Sequence, residues 1–168
     1  FNGCIDFDSL TLLVNELPIV NIGNDTSICE GQSIELKTET IALEYSWSTG
    51  NASQMIIVET DDLYSVEVTD SMGCVNADSM KLNIKELPSV HLGNDTTICE
   101  DKNIVLDAYN SGASYLWSTR STAHSLTIFD AGIYSVTVSD EIGCKRTDSI
   151  EILVRELPIV NLGNDTLI

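Results

Sequence analysis

The chain has 168 residues, of which 26 are acidic and 8 are basic, so its formal charge at neutral pH is −18. A field of that sign repels phosphate backbones and excludes nucleic acid as a partner. No apolar run approaches the roughly 20 residues of a membrane-crossing helix, so no membrane insertion is expected, and no signal peptide is recognisable, as expected for an internal stretch of a longer exported chain.

Self-similarity organises everything else. Glu-Leu-Pro opens at Glu16, Glu86 and Glu156, a period of 70 residues both times. Residues 16–85 and 86–155 align without a gap, with 26 identities in 70 positions. Residues 1–15 match the end of a preceding repeat, because Gly3-Cys4 lies 70 before Gly73-Cys74, and residues 156–168 match the start of a following one. The expected division is therefore 1–15, 16–85, 86–155 and 156–168.

Within a repeat, short segments alternate apolar and polar residues between clusters of Gly, Asn, Asp and Ser, the pattern of strands and turns. In chain order the inward sets of the first repeat are Ile34/Leu36, Tyr45/Trp47, Ile56/Val58, Tyr64/Val66/Val68 and Met80/Leu82/Ile84. The second repeat supplies Ile104/Leu106, Tyr115/Trp117, Leu126/Ile128, Tyr134/Val136/Val138 and Ile150/Ile152/Val154. A period of two with one wet face means antiparallel sheets. Six or seven strands in 70 residues predict an all-β fold: tandem Ig-like antiparallel β-sandwich repeats, each with its own core. Trp47 and Trp117 fall on the third strand and are expected at the centre of that core. Tyr64 and Tyr134 open the penultimate strand, where a tyrosine corner lies, and are expected in the core as well.

Domains this small are marginal without covalent help. Cys29 and Cys74 lie 45 apart, as do Cys99 and Cys144, which suggests Cys29–Cys74 and Cys99–Cys144 disulfides, with the partner of Cys4 before Phe1. Loops of that length contribute about 3–4 kcal/mol on the chain-entropy model, in an oxidising compartment. A seven-strand topology, however, sets the first turn and the last hairpin at opposite ends of the sandwich. Those bonds then require one strand fewer or an irregular first strand, and pairing of Cys74 with Cys99 is the rival. Between repeats, Lys85 runs directly into Glu86-Leu-Pro without a Gly/Ser linker, which reads as a stiff joint.

Catalytic chemistry finds no footing. His91 aligns with Asn21 and His124 with Gln54, and no phosphate loop or His-Glu-x-x-His occurs. Lys37 aligns with Asp107 and Lys81 with Glu151, so a repeated isopeptide crosslink is not expected either. No catalytic residue is therefore assigned and no cofactor is expected. Acid does recur, and Asp25, Asp95, Glu30 and Glu100 are weak calcium candidates without EF-hand spacing, against the plainer reading of a solvated acidic surface.

Four stretches carry a family likeness: Leu-Gly-Asn-Asp-Thr-Thr-Ile-Cys-Glu at 92–100, Tyr-Leu-Trp-Ser-Thr at 115–119, Asp-Ala-Gly-Ile-Tyr-Ser-Val-Thr-Val at 130–138 and Ile-Gly-Cys at 142–144. Through them the whole chain resembles the Ig-like/PKD-like tandem repeats of large secreted surface proteins of Bacteroidota-type bacteria, including gliding-type adhesins. It departs from true PKD domains in having Trp47-Ser-Thr-Gly and Trp117-Ser-Thr-Arg in place of Trp-Asp-Phe-Gly-Asp-Gly. The resemblance implies export by a type IX route and a non-enzymatic stalk or fibre segment of a giant extracellular adhesin or cell-surface appendage. The implied partners are neighbouring repeats, homo-oligomeric bundles, and cells or glycans met by other parts of the protein. It also implies O-glycans on Ser9, Ser79, Ser149, Thr96 and Thr166, each preceded by Asp; at the serines the rival reading is an Asp-Ser turn entering the last strand. A carbohydrate-binding accessory module of a secreted hydrolase is the alternative function.

Overall fold

The computed structural model describes residues 6–160. Among these residues there are twelve strands and no helix, and every strand of the second repeat lies 70 positions after its counterpart in the first. The chain divides into two compact units, Phe1–Ile84 and Lys85–Ile168.

The first unit is built from β1 (Thr26–Cys29), β2 (Ile34–Lys37), β3 (Glu44–Trp47), β4 (Met55–Val58), β5 (Asp62–Thr69) and β6 (Val75–Lys85), whose last residue is the first of the second unit. A four-stranded sheet runs β1-β6-β5-β3 and a two-stranded sheet pairs β2 with β4. Register in β5–β6 runs from Asp62 opposite Leu82 to Thr69 opposite Val75, and β3 closes on β5 with Trp47 opposite Val66. This register puts Trp47, Tyr64, Val66, Val68, Met80 and Leu82 on one buried face, packed with Leu36, Ile56 and Val58 of the smaller sheet. The polar residues between them face water, so the period-two pattern is the sandwich cut along its mid-plane.

The second unit repeats the plan with β7 (Thr96–Cys99), β8 (Ile104–Asp107), β9 (Ser114–Trp117), β10 (Ser125–Ile128), β11 (Gly132–Ser139) and β12 (Lys145–Arg155), in sheets β7-β12-β11-β9 and β10-β8. Its core is Leu106, Trp117, Ile128, Val136, Val138, Ile150 and Ile152. Each unit thus has six strands, and its first strand joins the sheet of the last strand rather than pairing with the second. The pairing of β7 with β12 is parallel, whereas the other strand pairs of this unit are antiparallel. A two-sheet sandwich with this connectivity is an Ig-like domain.

Alternation did not reveal two buried residues outside the strands, Ile22 and Leu92, which cap the cores from the segment after Glu-Leu-Pro. Two turns also differ between the units. Gly31 and Gly50 have positive φ, and the same left-handed backbone is held at Asp101 (φ 65°) and Arg120 (φ 68°) 70 positions on. For Asp101 and Arg120 that conformation costs on the order of 1 kcal/mol each.

Candidate functional site at the two ends of a repeat

At the end where the chain enters a unit, side chains grip the incoming backbone. The Asp78 carboxylate accepts the Ile22 amide at 2.9 Å, and Asp148 accepts that of Leu92 at 2.7 Å. From the loop after β2 or β8, Thr40 Oγ1 donates to the Ile19 carbonyl and Asn110 Nδ2 donates to that of Ser89. The Asp of Asp-Ser, on the last strand, therefore acts as a clamp on the segment that buries Ile22 or Leu92. Replacing Asp148 with Ala should cost about 1–3 kcal/mol by leaving a half-buried amide unpaired. Hydrogen exchange at the Leu92 amide should accelerate accordingly, and unchanged protection there would remove the clamp from consideration.

The hairpin before the last strand lies at this same entry end. Asp70 accepts the Met72 and Cys74 amides at 2.8 and 2.9 Å, and Asp140 accepts those of Ile142 and Cys144 at 3.0 and 2.8 Å. Cys74 and Cys144 are thus held in tight Asx-type turns.

The first strand defines the opposite end. Cys99 pairs in register with Arg155, the last residue of β12, whereas Cys144 immediately precedes Lys145, the first. Eleven residues of extended strand lie between the two positions, a span of about 33 Å. In the first unit Asp25 accepts the Lys81 amide and Asn83 donates to the Thr26 carbonyl, so β1 likewise lies beside the far half of β6. Disulfides need Cα atoms within about 7 Å. The expected Cys29–Cys74 and Cys99–Cys144 bonds therefore do not form. Cys74 and Cys99 are free thiols, so the rival Cys74–Cys99 pair is absent too. Cys29 and Cys144 are disulfide-bonded. The cause is the parallel first strand, which carries its cysteine to the exit end. Cys4 lies outside the described residues.

The recurring aromatics hold the interior. Trp47 and Trp117 are 3% and 2% exposed, and their indole N–H groups donate to the Ser53 and Ala123 carbonyls at 2.8 Å. Tyr64 is buried and its hydroxyl donates to the Thr60 carbonyl at 3.0 Å. Tyr134 packs half-buried against the second core and donates to Asp130 at 3.1 Å. Both contacts are tyrosine corners. Tyr45 and Tyr115 pin the loop before their strands, each donating to a carbonyl and accepting an amide five and three residues, or five residues, upstream.

The acidic candidates do not converge. The side chains of Asp25 and Asp95 each accept one backbone amide, from Lys81 and Glu151, while Glu30 and Glu100 are exposed. Among the described residues no group of three or more His, Cys, Asp or Glu side chains is assembled. Of the O-glycan candidates, Ser9, Ser79 and Ser149 are exposed and Thr96 is half-buried in β7; Thr166 lies outside the described residues. His124 Nδ1 lies 3.2 Å from Asp107 Oδ1, and that hydrogen bond, with the Tyr109 amide, holds the Asp107 carboxyl below its ordinary 3.8. On the first unit, Lys81 Nζ pairs with Asp61 at 2.7 Å, which raises the lysine above 10.5.

No protein-family model matches the chain, and no curated protein matches its sequence. Among solved structures, an I-band fragment of titin is similar at 12% identity with a TM-score of 0.47, covering 85% of this chain and 67% of that one. The insect immune protein hemolin is similar at 14% identity with a TM-score of 0.45, covering 82% of this chain and 47% of hemolin. The two-domain DIP-gamma structure is similar at 10% identity with a TM-score of 0.40, covering 83% and 98%.

Proposed function

We propose that this chain is a structural stalk or fibre segment of a giant extracellular adhesin or cell-surface appendage, made of 70-residue Ig-like repeats that extend or display a binding tip. The observation that supports it best is the strict 70-residue spacing of all six strand pairs, combined with an Asp clamp that ties each incoming segment to its own core. A unit built in this way is designed for repetition, and its recurring residues serve core, turns and clamps.

The disulfide-bonded cysteines favour an oxidising compartment. The resemblance to Bacteroidota-type surface repeats adds cell-surface export by a type IX route, with O-glycans on Ser9, Ser79 and Ser149 as its modification. Neighbouring repeats are the first partners, and side-by-side bundling of like chains is the second.

Electron microscopy of the native assembly tests the reading. Filaments whose length grows with repeat number are expected, and compact particles would overturn it. Retention of the 168-residue chain on one immobilised polysaccharide would instead favour the carbohydrate-binding module. The exposed Tyr109, edge-on to His124 at 5.8 Å, is where such a sugar contact would be sought.

A further inference from the structure

The second unit carries a side-chain cluster that the first lacks. Asp107 ends β8, Tyr109 lies two residues beyond it, and His124 immediately precedes β10, the strand paired with β8. Tyr109 is 68% exposed, and its ring meets that of His124 edge-on at 5.8 Å, with Tyr115 reaching the same imidazole at 6.5 Å. His124 Nδ1 lies 3.2 Å from Asp107 Oδ1, which also accepts the Tyr109 amide at 3.0 Å. The backbone on either side of Tyr109 is fixed as well. The Ala108 amide donates to the His124 carbonyl at 2.9 Å, and the Tyr115 hydroxyl bonds both the amide and the carbonyl of Asn110 at 2.8 Å. The tyrosine ring is therefore presented to solvent on a pinned loop.

The first unit separates the scaffold from the cluster. There the Thr38 amide donates to the Gln54 carbonyl, and the Tyr45 hydroxyl pins the loop between Thr40 and Ala42, so the backbone arrangement recurs. The side chains do not: Lys37, Glu39 and Gln54 stand where the second unit has Asp107, Tyr109 and His124. The same fold thus forms without an exposed aromatic ring, an imidazole and a carboxylate at these three places.

We propose that Asp107, Tyr109 and His124 form a binding site for a neutral pyranose unit of a polysaccharide. A sugar ring is apolar on its C–H face and polar at its rim, and the exposed face of Tyr109 supplies the matching apolar platform. An ionised carboxylate offers about four acceptor positions, and the His124 and Tyr109 N–H groups both bond Oδ1 of Asp107. Those two bonds keep the carboxyl ionised, with positions left to accept from vicinal sugar hydroxyls in charge-assisted bonds. With its proton on Nδ1, toward the carboxylate, His124 has Nε2 as an acceptor for a further hydroxyl. Uronate and sulfated sugars are repelled by the carboxylate and by the chain's charge of −18, so the ligand is neutral. The inference rests on the carbohydrate-binding reading and adds to it a site and a ligand class; imaging of the assembly tests the stalk separately.

The test titrates the full chain, by amide NMR, with cellohexaose, mannohexaose and laminarihexaose, and with an alginate hexamer as the acidic control. At least one neutral hexasaccharide is expected to shift the amides of Tyr109, Asn110 and His124 in a saturable way, and alginate to leave them in place. Tyr109→Ala should weaken binding about tenfold, whereas Tyr109→Phe, which keeps the ring face, should stay within about twofold. Asp107→Asn should also weaken it about tenfold. Placing Lys37→Asp, Glu39→Tyr and Gln54→His together on the first unit should create a second responding site there. Saturable shifts elsewhere in the chain, with Tyr109→Ala binding unchanged, would overturn the site while leaving the carbohydrate-binding reading. Equal binding of alginate would overturn the ligand class, and no response to any neutral hexasaccharide would remove both the site and that reading.

Discussion

Replacing Trp117 with Ala is expected to destabilise the second repeat by about 3–5 kcal/mol. The indole is 2% exposed, sits opposite Val136 on the neighbouring strand and belongs to the cluster containing Leu106, Ile128, Val138, Ile150 and Ile152. Truncation therefore removes the largest ring from the interior and leaves a cavity that β-branched neighbours cannot close. It also strands the Ala123 carbonyl, which loses its indole donor. Small domains hold only about 5 kcal/mol in reserve, so a loss of this size leaves residues 86–155 largely unfolded at 37 °C. Trp117→Phe keeps much of the packing and should cost less than half as much. Amide exchange at Val136, Val138 and Ile152 measures the change in the second repeat, while fluorescence of the remaining Trp47 follows the first. A loss under about 1 kcal/mol would show that the indole is not the centre of that core.

Cys144→Ser is expected to cost about 2–5 kcal/mol, because it removes a native disulfide and leaves a hydroxyl at a buried position. Cys74→Ser, at the equivalent position of the first repeat, should stay within about 0.5 kcal/mol, since it replaces a free, half-buried thiol. Denaturant midpoints of the full chain measure both. Reducing the unsubstituted protein should lower its midpoint to that of Cys144→Ser, and the reductant should leave the serine variant unmoved. Equal effects of the two substitutions would mean that local packing at the hairpin, and not the covalent bond, carries the stability.

The interior was legible in the sequence because a strand with one buried face must alternate. Tyr64, Val66 and Val68, and Met80 and Leu82, follow from that rule without coordinates. Trp47 was legible from size alone, as small sandwiches need one large ring. The Asp clamps were legible only in part. Asp78 and Asp148 recur, but recurrence does not distinguish a turn-former, a ligand or a glycan signal from a carboxylate that reaches 56 residues back to one amide. Such long-range pairs leave no local pattern.

The cysteines show where sequence reasoning stops. A 45-residue spacing is compatible with a bond inside the repeat, and only the parallel course of β7 along β12 places its two members at opposite ends. Strand direction is a property of the assembled sheet, so no count along the chain supplies it.

The stretch from Asp8 to Val14 makes the same point from the other side. Asp8-Ser-Leu-Thr-Leu-Leu-Val carries the alternating pattern of Asp78-Ser-Met-Lys-Leu-Asn-Ile, yet the first is exposed without a strand and the second lies in β6. By itself, the amino-acid sequence determined the 70-residue unit, its alternating faces and its aromatic centre, because these depend on which side chains avoid water. Pairing decided the rest: a strand exists only where neighbouring strands accept its hydrogen bonds, and which cysteines can meet depends on how those strands run.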